Sequence, residues 1–193
     1  EAFKDSGPQG RTIVEVGDYL AELLTQKGYR VYHDTSVYDL QSGVLDRSKA
    51  YNYALEGVNR ILQQNPSIQV VLDLHRDGVS ENLHMVSDIN GKPTAQIMFF
   101  NGMSRTATNG KIAYLPNPYL AENLAFSLKM QLGAQAYFPG FARKIYLKGL
   151  RYNLHLRPKS ALIEAGAQTN TFEEVKNAME PLAQLLDMVL QGE

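Results

Sequence analysis

Ile68 Gln69 Val70 Val71 Leu72 is an apolar run of strand length that leads straight into Asp73 Leu74 His75 Arg76 Asp77, a cluster of ionisable residues. A strand with so little polar alternation reads as covered on both faces, the pattern of strands in sheets with helices packed on either side. A second run of the same kind, Ser160 Ala161 Leu162 Ile163, ends on Glu164. In an open α/β sheet, ligands bind in the crevice outside the carboxyl ends of the strands. An imidazole and a carboxylate delivered at two such ends therefore point to one shared site. They are the parts a zinc hydrolase needs.

The rest of the chain alternates between helical and strand patterns. Ile13, Val16, Leu20, Leu23 and Leu24 mark a first helix, which Gly28 stops. Tyr29 to His33 alternates as a half-buried strand. Arg47 to Leu62 reads as a second helix with Ala50, Ala54, Val58 and Ile61 on one face, ended by Asn65 Pro66, and it feeds the central strand at Val70. Leu83 to Asp88 and Ala95 to Asn101 read as two further strands, with Asn90 Gly91 between them as a hairpin signal. Helix returns at Tyr119 to Leu132, Lys144 to Leu147 is a short strand, and a final helix runs from Thr171 to Leu190 on a capping box of Thr171 and Glu174. Such alternation with apolar strands predicts an α/β layer sandwich with parallel strands and one hairpin. Its 193 residues suit one domain.

Composition removes several classes of function. Nineteen Lys plus Arg against twenty Asp plus Glu, dispersed along the chain, leave no basic footprint for nucleic acid. With no cysteine, disulfides, thiolate metal sites and cysteine nucleophiles are all excluded, so His, Asp and Glu are the available metal ligands. No apolar stretch approaches the roughly 20 residues that span a bilayer. The start Glu1 Ala2 Phe3 Lys4 Asp5 reads as a continuation of a longer polypeptide.

His75 stands out from His33, His84 and His155 because it follows a covered strand and is flanked by Asp73, Arg76 and Asp77. Charged groups brought together there are costly to desolvate unless they are paired or metal-bound. Asp73 lies on the same side of the strand as His75 and would accept its free ring N–H, with a loop-capping carboxylate as the alternative. Glu164 is placed to act as general base on a metal-bound water, and small Ala165 and Gly166 beside it would let a substrate approach. A salt bridge to Arg151 or Arg157 is the bland alternative. Met103 to Pro118 is a loop of the size that shapes a cleft or simply covers a surface.

Asp73 Leu74 His75 Arg76 Asp77, Arg151 Tyr152 Asn153 Leu154 His155 Leu156, Leu162 Ile163 Glu164 Ala165 Gly166 and Asn170 Thr171 Phe172 Glu173 Glu174 together resemble the stage II sporulation protein P family in order and spacing. The resemblance covers nearly the whole chain. It implies a three-layer αβα sandwich with a mixed, largely parallel central sheet, like that of zinc cell-wall amidases. It also implies a zinc-dependent N-acetylmuramoyl-L-alanine amidase that cuts between the lactyl group of N-acetylmuramic acid and L-alanine of the stem peptide, during forespore engulfment. An endopeptidase of the stem peptide on the same zinc site, or a peptidoglycan-binding scaffold without catalysis, are the alternatives.

The family carries His-Thr-His-x-x-Glu after its first strand, and Glu1 Ala2 Phe3 resembles the end of that motif. The resemblance therefore implies Zn2+ held by His75, Glu1 and a histidine upstream, with Glu164 as the catalytic base. Arg76, Arg151, Tyr152 and Asn153 become candidates for substrate binding, with loop bracing as the alternative for Arg76. Residues 1–193 would be one catalytic domain lacking its first strand and a membrane anchor. The implied partners are peptidoglycan, a sporulation lytic transglycosylase and a membrane engulfment partner, on the outer side of the mother-cell membrane facing the septal space.

Overall fold

The computed structural model describes residues 2–41, 44–45 and 49–192. After a 3-10 segment, Lys4–Gln9, helix α1 (Ile13–Gln26) starts on a capping box in which Thr12 N–H donates to the Glu15 carboxylate at 2.8 Å. Gly28, at φ 90°, lets the chain leave that helix. A two-residue pair, β1 (Leu40–Gln41) and β2 (Val44–Leu45), precedes α2 (Ala50–Gln64) and β3 (Val71–Asp77). The hairpin β4 (Val86–Ile89) and β5 (Lys92–Ala95) turns on Asn90 and Gly91, both at positive φ, as a two-residue turn of this type requires. Then come β6 (Ile97–Gly102), a small pair β7 (Arg105–Thr106) and β8 (Gly110–Lys111), α3 (Leu120–Tyr137), β9 (Tyr146–Lys148), β10 (Ser160–Ala167), α4 (Phe172–Asn177) and α5 (Met179–Gln191).

The main sheet has the order β3-β10-β6-β9. β3 runs parallel to β10 and β6 parallel to β9, while β10 and β6 are antiparallel. The fold is thus the mixed, largely parallel α/β sandwich expected from the sequence. Pleating sorts the side chains. Leu72, Leu74, Ile97, Phe99, Ala161 and Ile163 join Val16 and Leu20 of α1, Phe126 and Met130 of α3, and Leu182 and Leu185 of α5 in the principal core. Each large side chain there contributes about 1.5–3 kcal/mol by burial. On the opposite face a smaller cluster of Phe100, Leu154 and Leu162 packs under Tyr51 of α2 and Tyr152.

Several elements differ from the sequence reading. Among the described strands β3 lies at an edge of the sheet rather than at its centre, and every one of its seven positions is half-buried. Tyr29 to His33 forms no strand: Val31 and Tyr32 are exposed, Tyr29 N–H donates to the Leu24 carbonyl, and His33 pairs with Asp18 of α1 at 2.9 Å. Alternating apolarity makes a strand only where a neighbour supplies ladder hydrogen bonds, and none of the described strands pairs with this segment. The predicted strand from Ala95 to Asn101 is two elements, because the chain leaves the hairpin at Gln96 and enters the main sheet at Ile97. The short strand expected at Lys144 to Leu147 begins two residues later, at Tyr146. The last helix is two helices meeting at Ala178, and Pro181 explains it: in a continuous helix it would lack the N–H owed to the Asn177 carbonyl, whereas in the first turn of α5 nothing is lost. α3 runs past Leu132 to Tyr137, with Gly133 giving room to Leu185 of α5.

One irregularity holds the carboxyl end of β10 in shape. The pairing with β3 shifts between Glu164 and Ala167, a bulge centred on Gly166 at φ +68°. A Cβ there would lie 2.9 Å from Ala95 Cβ, 2.9 Å from Asn170 Oδ1 and 3.0 Å from Val175 Cγ2. The small residue expected to admit a substrate is therefore closed in by the protein itself. Gly166→Ala combines a left-handed backbone with a steric clash and should lower unfolding free energy by about 2–3 kcal/mol in urea titration. A loss below roughly 0.5 kcal/mol would contradict this packing.

Candidate active site

Parallel pairing aligns Glu164 of β10 with His75 of β3, and Leu162 with Asp73. Alternation then puts Asp73, His75 and Glu164 on the face of the sheet away from the principal core, because Leu72, Leu74, Ala161 and Ile163 fill the other. His75 Nε2 and Asp73 Oδ1 are 2.8 Å apart, with both side chains about two-fifths exposed. The ring of Tyr51, from the first turn of α2, lies parallel to the imidazole with centroids 6.5 Å apart. Tyr152 packs edge-on against Tyr51 and against Phe100, at 5.3 and 4.7 Å.

The electrostatics separate the two carboxylates by their partners. Glu164 Oε2 is buried and has no hydrogen-bond partner among the described residues. Burial pushes its carboxyl up to about 7; the charge of His75 opposes the rise, Asp77 adds to it, and Arg143 and Asp73 act more weakly in opposite senses. For His75, burial disfavours the charged ring, yet the Asp73 hydrogen bond and the charges of Asp73 and Glu164 outweigh it and raise the imidazole above its ordinary value. Burial likewise raises the Tyr51 phenol, helped by Asp73 and Glu164, so it stays a neutral donor. A glutamate titrating near neutrality is suited to taking and returning a proton.

The loop that forms the wall of the site is strained. Tyr152 and Asn153 are consecutive residues at φ 52° and 56°. Asn tolerates that region, whereas Tyr reaches it at a cost of about 1–2 kcal/mol. Contacts on both sides hold the strain: Asn153 Nδ2 donates to the Tyr51 carbonyl at 2.7 Å, and buried Asn123 Nδ2 donates to the Leu154 carbonyl. Gly102 permits the loop's approach, since a Cβ there would fall 2.5 Å from the Arg151 carbonyl oxygen. Strained backbone of this kind concentrates at functional sites.

The sequence-predicted residues are placed unevenly. His75, Asp73, Glu164 and Tyr152 converge, and Asn153 anchors the loop to α2. Arg151 lies at the rim, with Nη1 donating to the Pro116 carbonyl at 3.2 Å, which ties in the loop from Met103 to Pro118. Neither Arg151 nor Arg157 pairs with Glu164; Arg157 Nε donates to the Ile68 carbonyl at 3.1 Å. Arg76 extends to the other side, its guanidinium 4.0 Å from the centroid of the Phe3 ring. Glu1 lies outside the described residues. His155 is held neutral, pushed down to about 4 by burial and by Arg151. Sequence reading missed Tyr51 and the ion pair of Arg143 with Asp77, 2.9 Å, which closes the carboxyl end of β3. Only the fold brings those two to the site, and neither has a local signal.

Oxygen and nitrogen donors without sulfur suit zinc in kind, though not yet in number. Among the described residues no group of three His, Cys, Asp or Glu side chains is arranged to hold a metal ion, and a catalytic zinc takes three protein ligands. His75 and Asp73 spend their facing atoms on each other.

Comparison with known proteins matches residues 1–187 to the family model of stage II sporulation protein P. The stage II sporulation protein P of Bacillus subtilis (strain 168) is 23% identical over 180 residues, which cover 89% of this chain and 41% of that protein. The chain thus spans about two-fifths of that relative's length. Among solved structures, the CwlD amidase from Clostridioides difficile in complex with the GerS lipoprotein superposes with a TM-score of 0.59 at 15% identity, over 99% of this chain and 89% of that one. The N-acetylmuramoyl-L-alanine amidase AmiC2 of Nostoc punctiforme follows with 0.52 at 17% identity, over 98% and 92%. At these identities the likeness is one of fold.

The raised Glu164 value fixes a pH dependence in the metal-free protein. From an ordinary value of 4.5 to about 7, the folded state keeps a proton that the unfolded state releases, so this group's contribution is fully present below 4.5 and is lost as pH rises through 7. Glu164→Gln removes that buried charge. The variant should gain on the order of 3 kcal/mol over wild type near pH 8 and nothing near pH 4, by urea unfolding. A difference that stays flat across that range would show that Glu164 does not titrate as described.

Proposed function

Because the chain belongs to the stage II sporulation protein P family, we propose that it is a zinc-dependent peptidoglycan hydrolase cleaving the N-acetylmuramoyl-L-alanine amide bond during sporulation. The observation that carries the reading is the alignment of Glu164, whose buried Oε2 has no hydrogen-bond partner among the described residues, with His75 on the face of the sheet opposite the principal core. In this reading Glu164 takes the proton of the attacking water and passes it to the departing amine of L-alanine. Asp73 fixes the His75 ring through Nε2, leaving the other nitrogen for a cation. Tyr51 and Tyr152 wall the site, and Arg151 and Asn153 shape the rim on which the stem peptide lies. His75 and Glu1 hold the zinc, with the third donor from outside the described residues. Bound zinc supplies polarisation of the amide carbonyl and acidification of water.

The same reading adds a strand beside β3. β3 has a neighbour on one side among the described strands, and the alternating segment from Tyr29 to His33 has none, while Arg30 reaches Ser67 just ahead of β3 at 3.3 Å. A strand inserted between them would complete both ladders and bring a further metal ligand to the sheet edge. The reading also places the protein outside the cytoplasm on a membrane anchor, acting with a lytic transglycosylase; within the described residues no helix is long and apolar enough to cross a membrane.

The test uses protein extended through the upstream segment and loaded with zinc. Glu164→Ala should keep stoichiometric zinc and the fold while losing about 10²- to 10⁴-fold in release of stem peptides with free L-alanine amino termini. His75→Ala should lose zinc and activity together. Full zinc occupancy with polymer binding and no new amines in wild type would establish the scaffold instead, and cleavage within the stem peptide would establish the endopeptidase.

A further inference from the structure

Helix α3 is apolar on two sides, and the fold uses one. Asn123, Phe126, Ser127, Met130, Gln131 and Ala134 face inward. Outward, Ala121, Ala125, Leu128 and Leu132 are exposed at spacings of four, three and four, the seam of a two-stranded coiled coil. Leu128 and Leu132 are 51% and 55% exposed, and Leu132 borders a shallow apolar cleft of about 300 Å³ between α3 and α5. An apolar helix face is ordinarily covered. Glu122 and Lys129 flank the seam one heptad apart, and among the described residues neither has an ion-pair partner.

We propose that this face of α3 docks antiparallel on the same face of a second copy, with the twofold axis passing between residues 126 and 127. That register sets Leu128 against Ala125 of the second copy and Leu132 against Ala121, so each layer matches a large side chain with a small one. It also brings Lys129 beside Glu122 of the second copy, and symmetry repeats the pair further along the same flank. A parallel alignment offers neither, since it stacks like on like and sets no acid beside Lys129. The interface lies on the helical layer over Ile97, Phe99 and Ile163, opposite the face of His75 and Glu164, so both sites stay open. The proposal is independent of the hydrolase reading.

Sedimentation equilibrium tests it. Wild type should show weight-average mass rising with concentration toward twice the monomer value. Lys129→Glu and Glu122→Lys each place like charges in both pairs and should weaken association about tenfold or more, with the fold retained by circular dichroism because both positions are exposed. Mixing the two variants in equal amounts should restore association, as should both changes in one chain. Leu128→Gln should abolish it. A wild type that stays monomeric throughout, a dimer indifferent to the single reversals, or a mixture without rescue would each overturn the proposal.

Discussion

The parallel ladder between β3 and β10 is the constraint on which the rest depends. A slip of one residue would turn Leu72 and Leu74 out of the core and drive Asp73 and His75 into it, exposing apolar area and burying charge at once. The principal core therefore locks the register, and the register delivers the imidazole beside the carboxylate. The chemical residues sit together because their apolar neighbours hold the far side of the sheet.

Strain is concentrated close to those residues. The bulge at Gly166 follows Glu164 by two positions, and the left-handed pair Tyr152 and Asn153 faces the site through Tyr51. The Tyr152–Asn153 pair costs about 1–2 kcal/mol and persists because surrounding contacts over-determine it, whereas Gly166 takes its left-handed backbone without strain and is fixed by packing. At Gly166 the surroundings are Ala95, Asn170 and Val175. For the loop they are the aromatic contacts of Tyr152 and the amides of Asn123 and Asn153.

Much of this was legible in the sequence where a physical signal is local. Apolar runs gave β3 and β10, Asn90 Gly91 gave the hairpin, Thr171 and Glu174 gave a helix start, and the strand-end argument pointed to His75 and Glu164, which the ladder aligns. What failed depended on tertiary partners. Tyr29 to His33 alternates like a strand but has no neighbour among the described strands, and β3 carries the apolar run of a central strand while lying at an edge of the described sheet. Pro181 marked the break in the last helix, though only the course of the chain decides between a kink and two helices. Tyr51 and Arg143 carry no local mark, since what matters about them is the element they face.

His75 stands between two carboxylates with different commitments. Asp73 gives an oxygen to the ring and is open to water, whereas Glu164 keeps a buried oxygen with no partner among the described residues. Leaving such an atom unpaired costs about 1–3 kcal/mol, and packing alone gives no return for it. Glutamine at that position would fit the same space without a buried charge and would serve the fold better above neutrality. A residue that weakens the folded state at that pH, aligned with an imidazole on the face opposite the core, is a candidate for the proton transfer of the proposed reaction. In the proposed reaction Asp73 would orient the imidazole and Glu164 would carry the proton, and the ladder between β3 and β10 keeps the two roles apart.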